Sequence, residues 1–475
     1  MLGCAGNNEI HTPHLDDLAE QGTRFSEAFC PNAMCSPCRA SVLTGLMPSQ
    51  HGVHTWLDHS GPPHWKEWPS RWNSLDEFTT LPEVLAANGY DTALIGKYHL
   101  GIADSPQNGF RHWVTTQIGH VQSFYNNEMI ENGKKHICPG HSVEYFTNHA
   151  VDYLKDRRNH QGQPFFMFLT YPAPYGHWPS VKGEPDNQFG FLYKDTPFDS
   201  VPREGISENL VNWLLVRNER DPEYDKEFYH ELLQIPNDLP TLRNYYSQMS
   251  IVDNGVGQVL NTLKKHGQFD DTLVIYTSDH GMSMGEHGFW GHGEDTWPSN
   301  THREANNIPL IVKTPNTVKK GKVSNHLVGT TDICSTILDY ADLEFNDEIP
   351  RRMRSLRPLM ESSSVDWEDC VFMEQEETRS IRTPQWLFMY RFKSDLHPFE
   401  SELYDLVRDP DERENKATDP GYGEVVDELT AKLEMFFETY SDLKWNLWKG
   451  GTAKSNSTRA FLWRDTWGTD WMPEL

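Results

Sequence analysis

What most narrows the fold of this chain is a recurring alternation. Three short apolar runs, PFFMFLTY (164–171), DTLVIYTSDHG (271–281) and IPLIVKTP (308–315), are rich in β-branched or aromatic residues and end in polar ones. Buried parallel strands have that composition, because both faces of such a sheet are covered. The segments around them have another period. YYSQMSIVDNGVGQVLNTLKKHG carries apolar residues at helical spacing. TPHLDDLAEQG reads as a helix capped by Thr12, with Pro13 in its first turn and Gly22 as its stop, and TTLPEVLAANG and TTDICSTILDYADL repeat the pattern. Strand and helix in alternation predict an α/β fold with a large, mostly parallel sheet flanked by helices.

From about residue 345 the grammar changes. CVFMEQ, RSIRTPQWLFMYRF and ELYDLVRDPDERENKA have the length of short antiparallel strands, with YGEVVDELTAKLEMFFETYS as a helix behind them. The expectation is a catalytic domain over 1–345 and a smaller α+β unit over 346–475, a division that 475 residues can fill. The C-terminal tail holds Trp445, Trp448, Trp463, Trp467 and Trp471. Exposed together they would make a costly apolar patch, so the tail should pack on the surface.

A net charge of −27 argues against nucleic acid, whose phosphates are held by basic surfaces. The longest apolar run, PFFMFL, falls far short of the ~20 residues of a membrane span. Seven irregularly spaced cysteines do not make a disulfide framework. The opening MLGCAGNNEIHTPHLDDLAEQG has neither the basic end nor the apolar core of a signal peptide. In this extent the chain is expected to be soluble and cytoplasmic, or periplasmic or secreted if an upstream N-terminus is missing.

Chemistry concentrates in CSPCRASVLTG (35–45). Cys35 and Cys38 with His51 and His54 imitate zinc-finger spacing, but the histidines lie closer than the usual separation of about three to five intervening residues. A chain of this length also needs no metal staple. A thioredoxin-type pair would need a compact βαβ module that the surroundings lack. Two ordinary buried thiols are the bland reading. Another arrangement uses more of the residues. Pro37 suits the first turn of a helix, so Cys35 falls at a helix N-terminus, where free N–H groups and the dipole favour an anion. Arg39, four residues on, lies on the same face. A nucleophile, a fixed cation and a helix N-terminus suit a tetrahedral oxyanion such as sulfate or phosphate.

The stretch resembles the signature of the type I sulfatases of the alkaline phosphatase superfamily, Cys-x-Pro-x-Arg followed by Leu-Thr-Gly, through Cys35, Pro37, Arg39, Leu43, Thr44 and Gly45. Two further motifs are similar: GYDTALIGKYHLG (89–101), with Gly96, Lys97 and His99, and SDHGMSMGEHGFWGHG (278–293). A weaker likeness runs from residue 3 to about 420. The resemblance implies an alkaline phosphatase-like fold and hydrolysis of sulfate esters. It implies that Cys35, and not Cys38, is oxidised to formylglycine by a maturation enzyme. One hydroxyl of the hydrated aldehyde would then attack sulfur, and the other would expel sulfate by re-forming the aldehyde. Arg39 would steady the hydrate, Lys97 would hold a sulfate oxygen and His99 would act as base. A divalent metal, usually calcium, would be held by Asp279, His280 and the modified Cys35, at a strand end where open α/β sheets place their sites. The bland alternatives are a solvated turn for Lys97 and His99 and a helix cap for Asp279.

The chain also departs from the family pattern. The Asp-Asp metal ligands that end the family's first strand have no counterpart here, since Asp16 and Asp17 match a later helix. The first strand is therefore expected to be missing, and the chain to be either an incomplete start of a longer protein or an impaired sulfatase. Calcium takes roughly six to eight oxygen ligands, so weak binding is expected. Where the family often has APH, this chain has Tyr175, with His177 two residues on, and the general acid stays open between them. His292 stands at the place of a sulfate-binding lysine and carries full charge only near or below pH ~6.5. The Trp- and His-rich segment 54–73 suits either stacking on a sugar ring or core packing, and the long acidic loop from about 176 to 240 reads as a recognition insertion that points to a sulfated saccharide over a small aryl ester. A phosphate or phosphonate ester hydrolase of the same superfamily and a metal-deficient, anion-binding pseudoenzyme are the rival readings.

Overall fold

Two mixed sheets and their covering helices position the three motifs that resemble the sulfatases. The computed structural model describes the chain apart from residues 1, 58–67, 118, 120, 122, 158–159, 161, 175–181, 221–237, 317–320, 363–364, 456 and 475. One sheet, of order β9-β1-β8-β7, combines β1 (Thr23–Phe25), β7 (Val274–Thr277), β8 (Leu310–Lys313) and β9 (Lys322–Ser324). The other, of order β5-β4-β3-β2-β6, combines β2 (Asp91–Gly96), β3 (His112–Thr116), β4 (Asn127–Glu131), β5 (Lys134–Cys138) and β6 (Phe165–Thr170). β2 is parallel to β3 and β6, and β1 to β9. β8 is antiparallel to both of its neighbours, and β4 and β5 add antiparallel. The α/β class is the one expected, but pairing is mixed rather than mostly parallel. Composition reports how deeply a strand is covered, not which way its neighbour runs.

Among the helices are α1 (Pro13–Gln21), α2 (Cys35–Thr44), α3 (Leu81–Ala87), α4 (Ser142–Asp156), α5 (Leu239–Lys265), α6 (Arg303–Asn306), α7 (Thr331–Ala341) and α8 (Gly423–Thr439). α1, α3, α5 and α7 lie where apolar spacing places them. α5 buries Leu242, Met249, Val252, Val259 and Leu263, the i, i+3, i+4 face of an amphipathic helix. Asp253 on that face accepts from the backbone N–H of His14 and Leu15 at 3.1 and 2.8 Å. It thereby satisfies orphan donors at the start of α1, and burial pushes its carboxyl up to about 6. Thr80 and Glu83 close a capping box on α3, satisfying amides at its start.

β6 and β7 were expected to be buried on both faces. Among the described strands each pairs on one side only, and their residues are mostly half-buried. A cleft of about 1160 Å³ separates them, lined by Phe166 and Phe168 of β6 and Ile275 and Tyr276 of β7. Cys35, Arg39, Lys97 and Asp279 line it as well.

The third sheet takes β10 (Val371–Gln375), β11 (Thr378–Arg382), β12 (Trp386–Arg391) and β13 (Glu402–Asp405) in sequence order, all antiparallel. α8 packs on it, with Phe436 stacked on Phe372 at 3.7 Å between ring centres. In the tail, Trp445, Trp463 and Trp471 are buried, and Trp463 Nε1 donates to Glu376 at 2.7 Å, while Trp467 stays 40% exposed.

Candidate active site

α2 begins at Cys35, with Met34 extended before it. Its N-terminal amides therefore face the region where the strands end. β2 stops at Gly96, and Lys97 N–H donates to Thr170 O at the end of β6 at 2.8 Å. Gly96 has φ +121°, and a Cβ there would fall 2.0 Å from Thr170 O. Only glycine lets the chain turn into Lys97 so close to its neighbour. β7 stops at Thr277, and Asp279 and His280 follow directly.

These residues converge. Ligand atoms of Cys35, Asp279 and His280 all lie within 4.8 Å of one another, although the two segments are some 240 residues apart in sequence. Cys35 Sγ is 3.4 Å from His280 Nε2. Arg39 lies one turn into α2; its Nη2 and Nε reach Asp279 Oδ2 at 2.9 and 3.0 Å, and its Nη1 donates to Lys97 O at 2.6 Å.

Burial alone raises the Cys35 thiol, but Lys97 and His280 overcome it and set the group at about 7. Burial opposes charge on His280 too, yet Asp279 and Cys35 lift it to about 9. Asp279 is held well below the ordinary carboxylate range, because Arg39, His280 and Lys97 outweigh its burial. The cluster thus concentrates cationic groups around a nucleophile in an otherwise acidic protein. Cys38 is a different thiol: it is buried, 3.7 Å from Thr330 Oγ1, and burial together with Asp279 pushes it far up. The zinc reading also fails on geometry, since His51 Nε2 pairs with Ser41 Oγ at 3.1 Å and His54 Nε2 donates to Trp445 O at 2.8 Å.

His99 is buried, with the left-handed φ of 58°, and its Nε2 lies 2.7 Å from Leu57 O. That hydrogen bond aims this nitrogen at the backbone of the segment after His54. Tyr175 and His177, the two candidates for general acid, lie outside the described residues. His292 is where the motif suggests, with its ring 4.7 Å from that of His280. Burial, however, drops it to about 4, so near neutral pH it offers a hydrogen bond and no charge. His292→Ala is therefore expected to lower turnover by about tenfold or less, the scale of one neutral hydrogen bond. The pH–rate profile of the variant between pH 5 and 8 should run parallel to that of the parent.

Sequence reasoning missed the support behind His280. Gly281 N–H donates to Ala305 O of α6 at 2.8 Å, and no motif names α6.

A buried thiol at a helix N-terminus, flanked by an arginine, a lysine and a carboxylate–imidazole pair at strand ends, makes a pocket suited to a tetrahedral oxyanion ester. The sulfatase family profile matches residues 1–343, and the profile of the N-sulphoglucosamine sulphohydrolase C-terminal region matches residues 285–439. The chain belongs to the sulfatase family. It is similar to the N-acetylglucosamine-6-O-sulfatase of Bacteroides thetaiotaomicron, at 27% identity over 93% of this chain and 84% of that protein. To the N-sulphoglucosamine sulphohydrolase of Homo sapiens it is 25% identical, over 91% of this chain and 86% of the relative. The solved structure of BT4656 in complex with its substrate D-glucosamine-2-N,6-O-disulfate superposes with a TM-score of 0.72 at 25% identity, covering 94% of this chain and 96% of the other. A phosphonate monoester hydrolase of Agrobacterium radiobacter, at 19% identity and a TM-score of 0.61, covering 93% of this chain and 94% of its own, shares the fold.

Proposed function

We propose that this sulfatase removes sulfate from sulfated saccharides, with 6-O- or N-sulfated glucosamine as its substrate class. In this reading residue 35 acts as formylglycine, and calcium is held by Asp279, His280 and that residue. The observation that carries the reading is the convergence of Cys35, Asp279 and His280 within 4.8 Å beside Arg39 and Lys97. The names of the two glucosamine sulfatases above support the substrate class.

The donor set suits a divalent cation: one carboxylate, one imidazole and the side chain of residue 35. Bound there, calcium would polarise the sulfate oxygens and lower the charge the site must absorb. Among the described residues these donors are fewer than the roughly six to eight oxygens calcium prefers, so weak binding is the expectation for calorimetry. The chain's own residues do the rest. Arg39 fixes Asp279 and the turn at Lys97 through three hydrogen bonds or ion pairs. Lys97, buried, presents a charge whose worth rises as water is excluded.

The test is a parallel assay of protein co-expressed with a formylglycine-generating enzyme, on N-acetylglucosamine-6-sulfate, N-sulfoglucosamine and an aryl phosphate. Release of sulfate from one or both sugars should exceed release of phosphate by at least about a hundredfold, the scale of an interaction specific to one transition state. Chelation should remove the activity and calcium restore it. Faster hydrolysis of the phosphate would assign the site to phosphoryl chemistry.

A further inference from the structure

In the loop after β13, Asp409 and Asn415 of the motif ELYDLVRDPDERENKA hold the loop's own backbone. Asp409 accepts from Arg413 N and Glu414 N, both at 2.7 Å. Asn415 accepts from Leu403 N and Ala417 N at 3.0 and 2.9 Å. Glu412 does not. It is 1% exposed and has a backbone φ of 58°, a left-handed conformation uncommon for any residue but glycine. Its Oε1 accepts from Arg382 Nη1 of β11 at 2.6 Å. Its Oε2 is 2.8 Å from His302 Nδ1 and accepts from Arg303 N at 3.4 Å, at the start of α6.

From α6 the contacts lead straight to the active site. Ala305 O accepts from Gly281 N at 2.8 Å. A Cβ on Gly281 would sit 2.2 Å from Glu304 O, so the two backbones touch. His280 Nδ1 lies 2.7 Å from Gly281 O, which turns Nε2 toward Cys35 Sγ. Displacing α6 therefore displaces the ring of His280. His287 stacks on His302 at 4.0 Å and 22°. His287, His302 and Glu412 bring their ligand atoms within 4.8 Å of one another, and Glu412 already engages both oxygens, with Arg382 on one side and His302 and Arg303 N on the other.

We propose that Glu412 is a positioning residue for the reaction: it fixes α6, and through α6 the orientation of His280 against residue 35. The kinetic part of this inference rests on the sulfatase reading. Burial opposes charge on Glu412, but His302 and Arg382 hold its carboxyl at about 2, so the strut stays ionised at every working pH.

The test compares Glu412→Ala, the near-isosteric Glu412→Gln, and Asn415→Ala as a control confined to the loop. Per folded molecule, Glu412→Ala is expected to lose about tenfold or more in kcat with KM within about threefold, the signature of misplacement without lost substrate binding. Glu412→Gln should fall between it and the parent. Asn415→Ala should lower Tm and leave kcat unchanged. An activity-independent arm measures alkylation of the unconverted Cys35 thiol by iodoacetamide, which Glu412→Ala and Glu412→Gln should slow because His280 no longer backs the thiolate. Unchanged kcat per folded molecule in both Glu412 variants, equal loss in Asn415→Ala, or unchanged alkylation would overturn the proposal. If the parent turns over no sulfate ester, the sulfatase reading fails separately and the alkylation arm alone decides the role of Glu412.

Discussion

Cys35→Ala is expected to abolish turnover, while Cys38→Ser keeps it within about threefold of the parent. The two thiols differ by one helical turn and by everything that makes a nucleophile. Cys35 sits at the N-terminus of α2, 3.4 Å from His280 Nε2, with Lys97 and His280 drawing its thiol down to about 7. Cys38 points into an apolar cluster with Cys30, Ala33 and Val42, and burial keeps it protonated. Serine is small enough for that pocket and can still reach Thr330. In an active preparation, mass spectrometry of the peptide spanning residues 35–45 should show conversion at Cys35 alone. An unmodified Cys35 thiol in turning-over protein would sink the formylglycine mechanism, and modification at Cys38 would reassign it.

Arg39→Ala and Lys97→Ala should each cost about a hundredfold or more in kcat, the loss typical of one preorganised charge donor in a dry site. Both side chains are buried beside the cluster. The arginine variant should also acquire a pH dependence that the lysine variant shows less strongly. Asp279 is held below its ordinary range in the parent, with Arg39 the largest opposing charge. A depressed carboxyl contributes stability that is complete above its unfolded value of ~4 and is lost as pH falls through the folded value. Without Arg39 the folded value rises, so the acid limb of both stability and activity should move to higher pH. Thermal melts and rates measured between pH 4 and 7 report the two effects together. Near-parent turnover in either variant would return that residue to a structural role.

The chain announces much of this arrangement before any coordinates. Pro13 and Gly22 delimit α1 because turn chemistry is local, but Thr12 does not cap it: its hydroxyl turns to Gly3 N and Asp16, and Asp253 of α5 takes the first amides instead. β8 announces itself by composition because every residue of it is buried. Cys35 and Arg39 were legible from helix-terminus geometry, and Asp279 and His280 joined them only through the resemblance to the sulfatase motifs. What depends on distant partners was not. That β8 runs antiparallel to β1 and β7 is decided by connections, not by the strands' own residues. The ring of His99 faces Leu57 O, a contact across 42 residues that no spacing rule contains. His292 reads as a weak cation in sequence and is neutral in place, because burial is a tertiary property. Glu412 belongs to a visible motif, but its partners His302 and Arg382 lie 110 and 30 residues away.

The cleft between β6 and β7 has a consequence for how this protein behaves in a tube. Among the described strands each of the two is a sheet edge bordering the opening, and an unpaired edge is a template for pairing with another chain. Here two such edges face each other across aromatic walls, so an intruding extended segment would be gripped from both sides. Molecules of this sequence extent that meet at high concentration are therefore expected to associate through these edges. Light scattering should rise with concentration, and a short soluble β-prone peptide added in excess should suppress it by occupying the slot first.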